Sequence, residues 1–355
     1  MRHRPVAWCC AFAATIAFLA LSAFDARAQN APAASRGGSG DWTAPRTPWG
    51  HPDLQGVWNN STNTPLERMT SEEQEAARRA AAPVRAATEG TGAGWLEPGK
   101  GVGASLVVDP PDGRIPMTAV AVKRLVDREQ ARSGRGEADS WLDRNSWERC
   151  ISRTLPTAMI PNAYNANYQI LQTPDYVAIL VEMIHDSRII PLDGRPHVGQ
   201  NIRGWLGDSR GRWEGDTLVV ETTNFNNRLD GGPLQPTHVI QTGYRGSGET
   251  LRLVERFTRI NATTIDYRFT VHDPVTFTRP YTVAIPMRKS VENGIPEYAC
   301  HEGNYGMPNL LKAGRANEKG AIEAAALVRR QRIEGGHPGI REPAAPIVPP
   351  TVTSR

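Results

Sequence analysis

Two short stretches of the chain concentrate side chains that can move protons. The first holds Glu182, His185, Asp186 and Arg188, with His197 a little further on. The second is Cys300-His301-Glu302, followed by Asn304 and Tyr305. An imidazole exchanges protons near neutral pH, a carboxylate beside it fixes its tautomer, and a guanidinium can hold a carboxylate or an enolate. Such a set suits elimination, isomerisation or hydrolysis with no organic cofactor. The competing reading is local. There His185 and Asp186 organise a tight turn, and Arg188 pairs with Asp186 or Glu182.

Other chemistries find less in the sequence. His185, His197, His301 and one of Glu182 or Glu302 offer zinc three nitrogens and a carboxylate. Their spacing fits no zinc signature, so no metal is assigned. No glycine fingerprint for a dinucleotide, phosphate loop or Gly-x-Ser-x-Gly elbow is present; Gly246-Ser247-Gly248 is a turn. Trp58, Trp141, Trp147, Trp205 and Trp213 suit either core packing or the lining of an apolar cavity.

The elements that must position these groups read as strands. From Tyr168 onward the apolar pattern has period two. Tyr168–Gln172 and Tyr176–Met183 flank the turn Thr173-Pro174-Asp175, and Arg188–Leu192 follows. Trp213 and Thr217–Thr223 flank Glu214-Gly215-Asp216, while Leu251–Ile260 and Thr264–His272 flank Asn261-Ala262-Thr263. Thr276–Met287 is a further strand. Nothing alternates strand with helix as a parallel sheet requires. The fold class expected is mainly β: an antiparallel meander closing into a barrel, with a helical or irregular insertion at about 59–150 and a C-terminal helix over about 317–330. Shorter helices are expected from about Thr70 to Ala82, behind the cap Thr70-Ser71-Glu72-Glu73, and from Met117 to Arg132.

Alternation also assigns faces. Leu251, Leu253, Glu255 and Phe257 share one side of their strand, and Ile265, Tyr267, Phe269 and Val271 share one side of the next. Those rows would meet inside the barrel, carrying Glu255 inward to an arginine or to a ligand. Tyr176, Ala178, Leu180 and Glu182 line one face of another strand. Tyr176, His197, Glu255, Asn304 and Tyr305 are therefore the expected ligand contacts, beside the acid–base set Glu182, His185, Asp186, Arg188, His301 and Glu302.

Composition bounds the rest. Of 355 residues 39% are hydrophobic, enough for a packed core, so a wholly disordered chain is excluded. The net charge is +4, spread without a basic stripe or an aromatic ladder, which excludes nucleic acid as partner. Arg2, His3 and Arg4, the apolar run Ala11–Ala23 and Ala26-Arg27-Ala28 read as a signal peptide over 1–28. The run is too short for a stable membrane span. A flexible leader over 29–47, one domain over 48–335 and a Pro-rich tail over 336–355 follow. The chain is then periplasmic or secreted. Removal of Cys9 and Cys10 with the signal leaves Cys150 and Cys300, which in an oxidising compartment most simply form one disulfide; a catalytic thiol at Cys300 is the rival.

Gly56-Val57-Trp58 ahead of a meander resembles the Gly-x-Trp opening of lipocalin-like (calycin) barrels. Pro161-Asn162-Ala163-Tyr164-Asn165, His185-Asp186-Ser187-Arg188, Trp213-Glu214-Gly215-Asp216 and Tyr298-Ala299-Cys300-His301-Glu302-Gly303 resemble an abundant group of secreted bacterial proteins of unassigned function. That resemblance implies export and supplies no reaction. Two functions of different class remain. One is an exported acid–base enzyme, a lyase, isomerase or hydrolase, acting on a small, partly apolar molecule. The other is a periplasmic lipocalin-like carrier of a hydrophobic ligand. An envelope scaffold is a third reading.

Overall fold

The structure, a computed structural model, describes residues 42–62, 64–75, 79, 104–132, 146–161, 164–226, 248–291 and 294–334. The expected signal peptide, the Pro-rich tail and Trp141 lie outside the described residues. The fold belongs to the unit Thr43–Arg355. Ten strands make one antiparallel sheet. They are β1 (Gly56–Asn59), β2 (Val107–Asp109), β3 (Asn167–Gln172), β4 (Tyr176–Val181) and β5 (Ser187–Pro191). Then come β6 (Asp208–Glu214), β7 (Thr217–Thr223), β8 (Arg252–Asn261), β9 (Thr264–His272) and β10 (Tyr281–Lys289). Two α-helices are described at length, α1 (Ala119–Arg132) and α2 (Gly306–Glu334).

The strand order β5-β4-β3-β1-β10-β9-β8-β7-β6 bends the sheet into a nearly closed nine-strand barrel, with the short β2 attached to β10. Around the ring these nine strands follow chain order, and β1 closes the circle between β3, the next long strand, and β10, the last. Tight turns make the hairpins. Thr173 Oγ1 accepts the Tyr176 N–H at 3.0 Å, and Asn261 Oδ1 accepts the Thr263 N–H at 2.9 Å. These turns, with Gly215-Asp216, share one end of the barrel, called here the hairpin end. Trp58 fills that end, its indole N–H on Leu54 O at 2.9 Å and its ring 5.5 Å from the Arg259 guanidinium.

An odd ring cannot alternate direction at every step. Following the pairings around it, β5 and β6 run the same way, and no ladder joins them. Side chains bridge this seam instead. A Cβ on Gly211 of β6 would come within 2.7 Å of Leu192 and 2.8 Å of Ile190, so only glycine admits so close an approach. Parallel neighbours need a long return, and residues 192–207 provide it.

Inside, alternate side chains meet. Phe257 and Tyr267 stack with centroids 4.6 Å apart, and Trp58, Ile170, Ile179, Phe269 and Ile285 surround them. These side chains are 0–1% exposed. No water-sized space touches them, so the interior at this level is a packed core. Glu255 points inward as alternation requires. Its partner is Arg188, with Nη1–Oε1 3.0 Å and Nη2–Oε2 2.5 Å, and the Tyr267 hydroxyl donates to Oε1 at 2.9 Å. Burial and the Glu255 charge hold the Tyr267 phenol well above its ordinary range.

Several expectations change. On β4 the inward side chains are Val177, Ile179 and Val181, and Tyr176, Ala178 and Leu180 face outward. Both faces of YVAILV are apolar, so alternation carried no information there. The last strand starts at Tyr281 rather than Thr276, because Asp273 Oδ1 takes the Thr250 hydroxyl and the Val275 and Thr276 N–H groups into a turn. Residues 43–47 are not a free leader: Ala44 and Thr47 are buried, and Arg46 pairs with Asp216 at 2.5 Å. The expected 70–82 helix is described at 71–75 and 79, where Thr70 and Glu73 exchange main-chain hydrogen bonds in a capping box. Among the described residues no helix is long and apolar enough to cross a membrane.

Removing one partner of the Arg188–Glu255 pair strands a charge in the core. Arg188→Met should cost about 3–5 kcal/mol by urea unfolding, and adding Glu255→Leu should recover much of the loss.

Candidate functional site

The other end of the barrel, its mouth, carries the long connections. There β4 passes to β5 through a single 3-10 turn, Met183–His185. Ile184 (φ 67°) and His185 (φ 51°) both adopt the left-handed region, which is costly for side chains bearing Cβ and most so for the β-branched Ile184. Three bonds hold the turn: Val181 N–H to Asp186 O at 2.8 Å, Glu182 N–H to Asn167 O at 3.0 Å, and His185 N–H to Glu182 O at 3.2 Å. Ile184 is buried and His185 is exposed, so this backbone delivers the imidazole outward beside the Glu182 carboxylate.

Glu182 is buried, and its Oε2 accepts from the Asn167 N–H at 3.1 Å and from Asn167 Nδ2 at 2.9 Å. Asp186 plays a different part. Its Oδ2 accepts from the Ser152 hydroxyl at 2.9 Å and the Arg153 N–H at 3.1 Å, tying the turn to the segment that caps the mouth. Burial pushes the Asp186 carboxyl above its usual range, against the pull of those two bonds.

The facing wall comes from the chain that follows β10. A disulfide joins Cys150 to Cys300 with Cα atoms 5.7 Å apart, which fixes Tyr298–Glu302 against the 146–153 turn. Between the walls lies a pocket of about 270 Å³. Leu180, Val181, Ile295 and Pro296 give it apolar surface. Glu182, His185, Glu297, Tyr298 and Glu302 give it polar groups. Burial raises the Tyr298 phenol above its ordinary range. An imidazole, a phenol and carboxylates around one small cavity can donate and accept protons on a bound molecule.

Other expected site residues lie elsewhere. Arg188 and Glu255 are in the barrel core, because on β5 the alternation that turns Ser187 outward turns Arg188 inward. Tyr176 sits at the hairpin end, where its hydroxyl meets Arg195 Nη2 at 3.4 Å. His197 lies outside the barrel, on the return from β5 to β6, with Nδ1 2.8 Å from Asp208 and Nε2 3.8 Å from Glu221. His301 is exposed and does not line the pocket. Asn304 is a brace: Oδ1 caps the Met307 N–H at 3.2 Å and Nδ2 reaches Glu148 O at 3.3 Å. Tyr305 is 75% exposed. The histidines of the zinc reading are therefore not gathered, and among the described residues no group of three or more His, Cys, Asp or Glu is placed to hold a metal ion. Trp58 is core, and Trp147 stands 6.0 Å from the Arg153 guanidinium.

Sequence reasoning missed Tyr298 and Arg153. No protein-family model matches the chain, and no curated protein and no solved structure matches it.

Two outcomes follow from this geometry. The native value of Asp186 exceeds its unfolded one, so the native state keeps that proton to higher pH. Its stability contribution is present below about pH 4 and is lost as pH rises through the raised value. Asp186→Asn should therefore remove a downward slope from urea stability measured between about pH 4 and pH 7. Cys150→Ser with Cys300→Ser reopens a loop of 150 residues and should cost at most roughly 5 kcal/mol, with faster amide exchange over 295–302.

Proposed function

We propose that the protein is an exported acid–base enzyme acting on a small, partly apolar molecule at the barrel mouth, in the class of lyases, isomerases and hydrolases. One observation carries this reading: His185 and Glu182 on one wall of the pocket face Tyr298 and Glu302 on the other, with apolar surface between them. His185 takes the proton of the substrate. The Glu182 carboxylate, fixed by Asn167, orients the polar part of the substrate. Tyr298 and Glu302 return a proton to the leaving or rearranging group. This chemistry calls for no organic cofactor, and the bound partner is a small molecule.

The location of the pocket also favours this reading over a carrier. A lipocalin-like carrier holds its ligand inside the barrel, whereas this pocket lies at its mouth. The basic start, the apolar run, the Ala26-Arg27-Ala28 site and a disulfide compatible with an extracellular location together support a periplasmic or secreted protein.

A panel of esters, lactones, keto-sugars and terpenoids tests the activity. On whichever substrate turns over, His185→Ala and Glu302→Gln should each lower kcat/KM about 100-fold or more, and Tyr176→Phe should leave it unchanged. Turnover indifferent to both wall substitutions would remove the site.

A further inference from the structure

Among the described residues two arginines are almost wholly buried, Arg188 at 3% exposed and Arg153 at 4%. They are treated very differently. Arg188 has the two oxygens of Glu255 on its guanidinium. Among the described residues Arg153 makes no ion pair, and its Nε and Nη1 are buried with no hydrogen-bond acceptor. Asp186, the acid on the adjoining turn, is already engaged by the Ser152 hydroxyl and by the main-chain N–H of Arg153. The remaining neighbour with known geometry is a π face, the Trp147 ring 6.0 Å away.

Asp186 favours the charge on Arg153 only through space; leaving a buried guanidinium without a hydrogen-bonded counter-charge is costly, and burial lowers its proton affinity. The capping segment needs only the Arg153 main chain, which Asp186 binds. A side chain of this kind, with two buried donors and no acceptor for them among the described residues, is organised to receive an anion from outside.

The way in is the mouth pocket. Tyr298 lines it, as does His185 beside the Asp186 that binds the Arg153 main chain, and Arg153 lies behind that lining rather than in it. The disulfide at Cys150 and Cys300 holds the 146–153 turn against the Tyr298 wall. We propose that Arg153 binds the carboxylate of the molecule in this pocket, which makes the substrate a small apolar carboxylate. This deepens the acid–base reading and rests on the same pocket. A single guanidinium balances one negative charge. A dianion such as phosphate would meet Glu182, Glu297 and Glu302 uncompensated. Glu297 and Glu302 are exposed and screened by solvent, whereas the charge on Arg153 is not. The apolar body of the ligand then lies on Leu180, Val181, Ile295 and Pro296, with its head beyond Tyr298.

Thermal unfolding and tryptophan fluorescence titrations, at constant ionic strength, test this with four probes: benzoate, hexanoate, benzamide and inorganic phosphate. Benzoate and hexanoate should raise the melting temperature saturably and perturb the emission of Trp147, and benzamide and phosphate should do neither. Arg153→Met should weaken benzoate binding tenfold or more, yet melt no lower than the unaltered protein without carboxylate, since it removes an uncompensated charge. Arg153→Lys, which keeps the charge and loses the planar fork, should bind benzoate with intermediate affinity. Benzamide binding as well as benzoate, phosphate binding more tightly, or an Arg153→Met protein that binds benzoate normally would each overturn the proposal. So would a marked loss of stability of Arg153→Met in the absence of carboxylate. His185→Ala separates the two readings, because it should abolish turnover and leave benzoate binding intact. Carboxylate binding with turnover indifferent to His185 refutes the enzyme alone; turnover dependent on His185 without carboxylate preference refutes the anion site alone.

Discussion

A ring of nine strands cannot reverse direction at every step, and the arrangement of this molecule depends on where it breaks the rule. The break falls between β5 and β6, whose backbones run together without a ladder. Every other neighbour is antiparallel, so the remaining connections sort by end. The tight hairpins β3–β4, β6–β7 and β8–β9 gather at one end, and the long or strained connections gather at the other. The insertion between β1 and β3 and the turn between β4 and β5 therefore meet at the mouth. The segment after β10 starts at the hairpin end and runs back to join them. The pocket is where these three pieces of chain converge.

The core and the mouth use polar groups for opposite purposes. In the core the charges pair: the two oxygens of Glu255 meet both Nη atoms of Arg188, and Tyr267 donates to the same carboxylate. At the mouth, polar groups are held by main-chain and amide partners. Asn167 fixes Glu182, and the left-handed pair Ile184–His185 points the imidazole away from the core. Strain of this kind persists only when the surroundings enforce it, and here the buried Ile184 and the Asp186 bonds to the capping segment do so.

Hairpins were legible because their signals are local. Thr173-Pro174-Asp175 and Glu214-Gly215-Asp216 set turn geometry whatever surrounds them, and strict alternation in Leu251–Phe257 and Ile265–Val271 gave the inward face, Glu255 included. β2 escaped notice because three residues carry no period and its partner is β10, far along the chain. The candidate site was half legible. Glu182, His185 and Glu302 line one pocket, but Arg188 was grouped with them through closeness in sequence, although the period of two places it with Ile190 inside. His197 failed for a related reason. Its loop had to cross the whole barrel to restore a parallel step, which no short-range pattern announces. Arg153 carries no motif; only its burial without an acceptor marks it out.

The position of β1 bears on the order in which the chain assembles. This four-residue strand is held on one flank by β3 and on the other by β10, whose pairing residues Arg288 and Lys289 come some 230 positions later. At about 5–20 residues per second, synthesis leaves Trp58 without its final neighbour for roughly 10–50 s. Contacts so distant in sequence form slowly, so the circle closes only after nearly the whole chain has emerged. A polypeptide built this way stays open through its own manufacture and closes only as its last strand arrives.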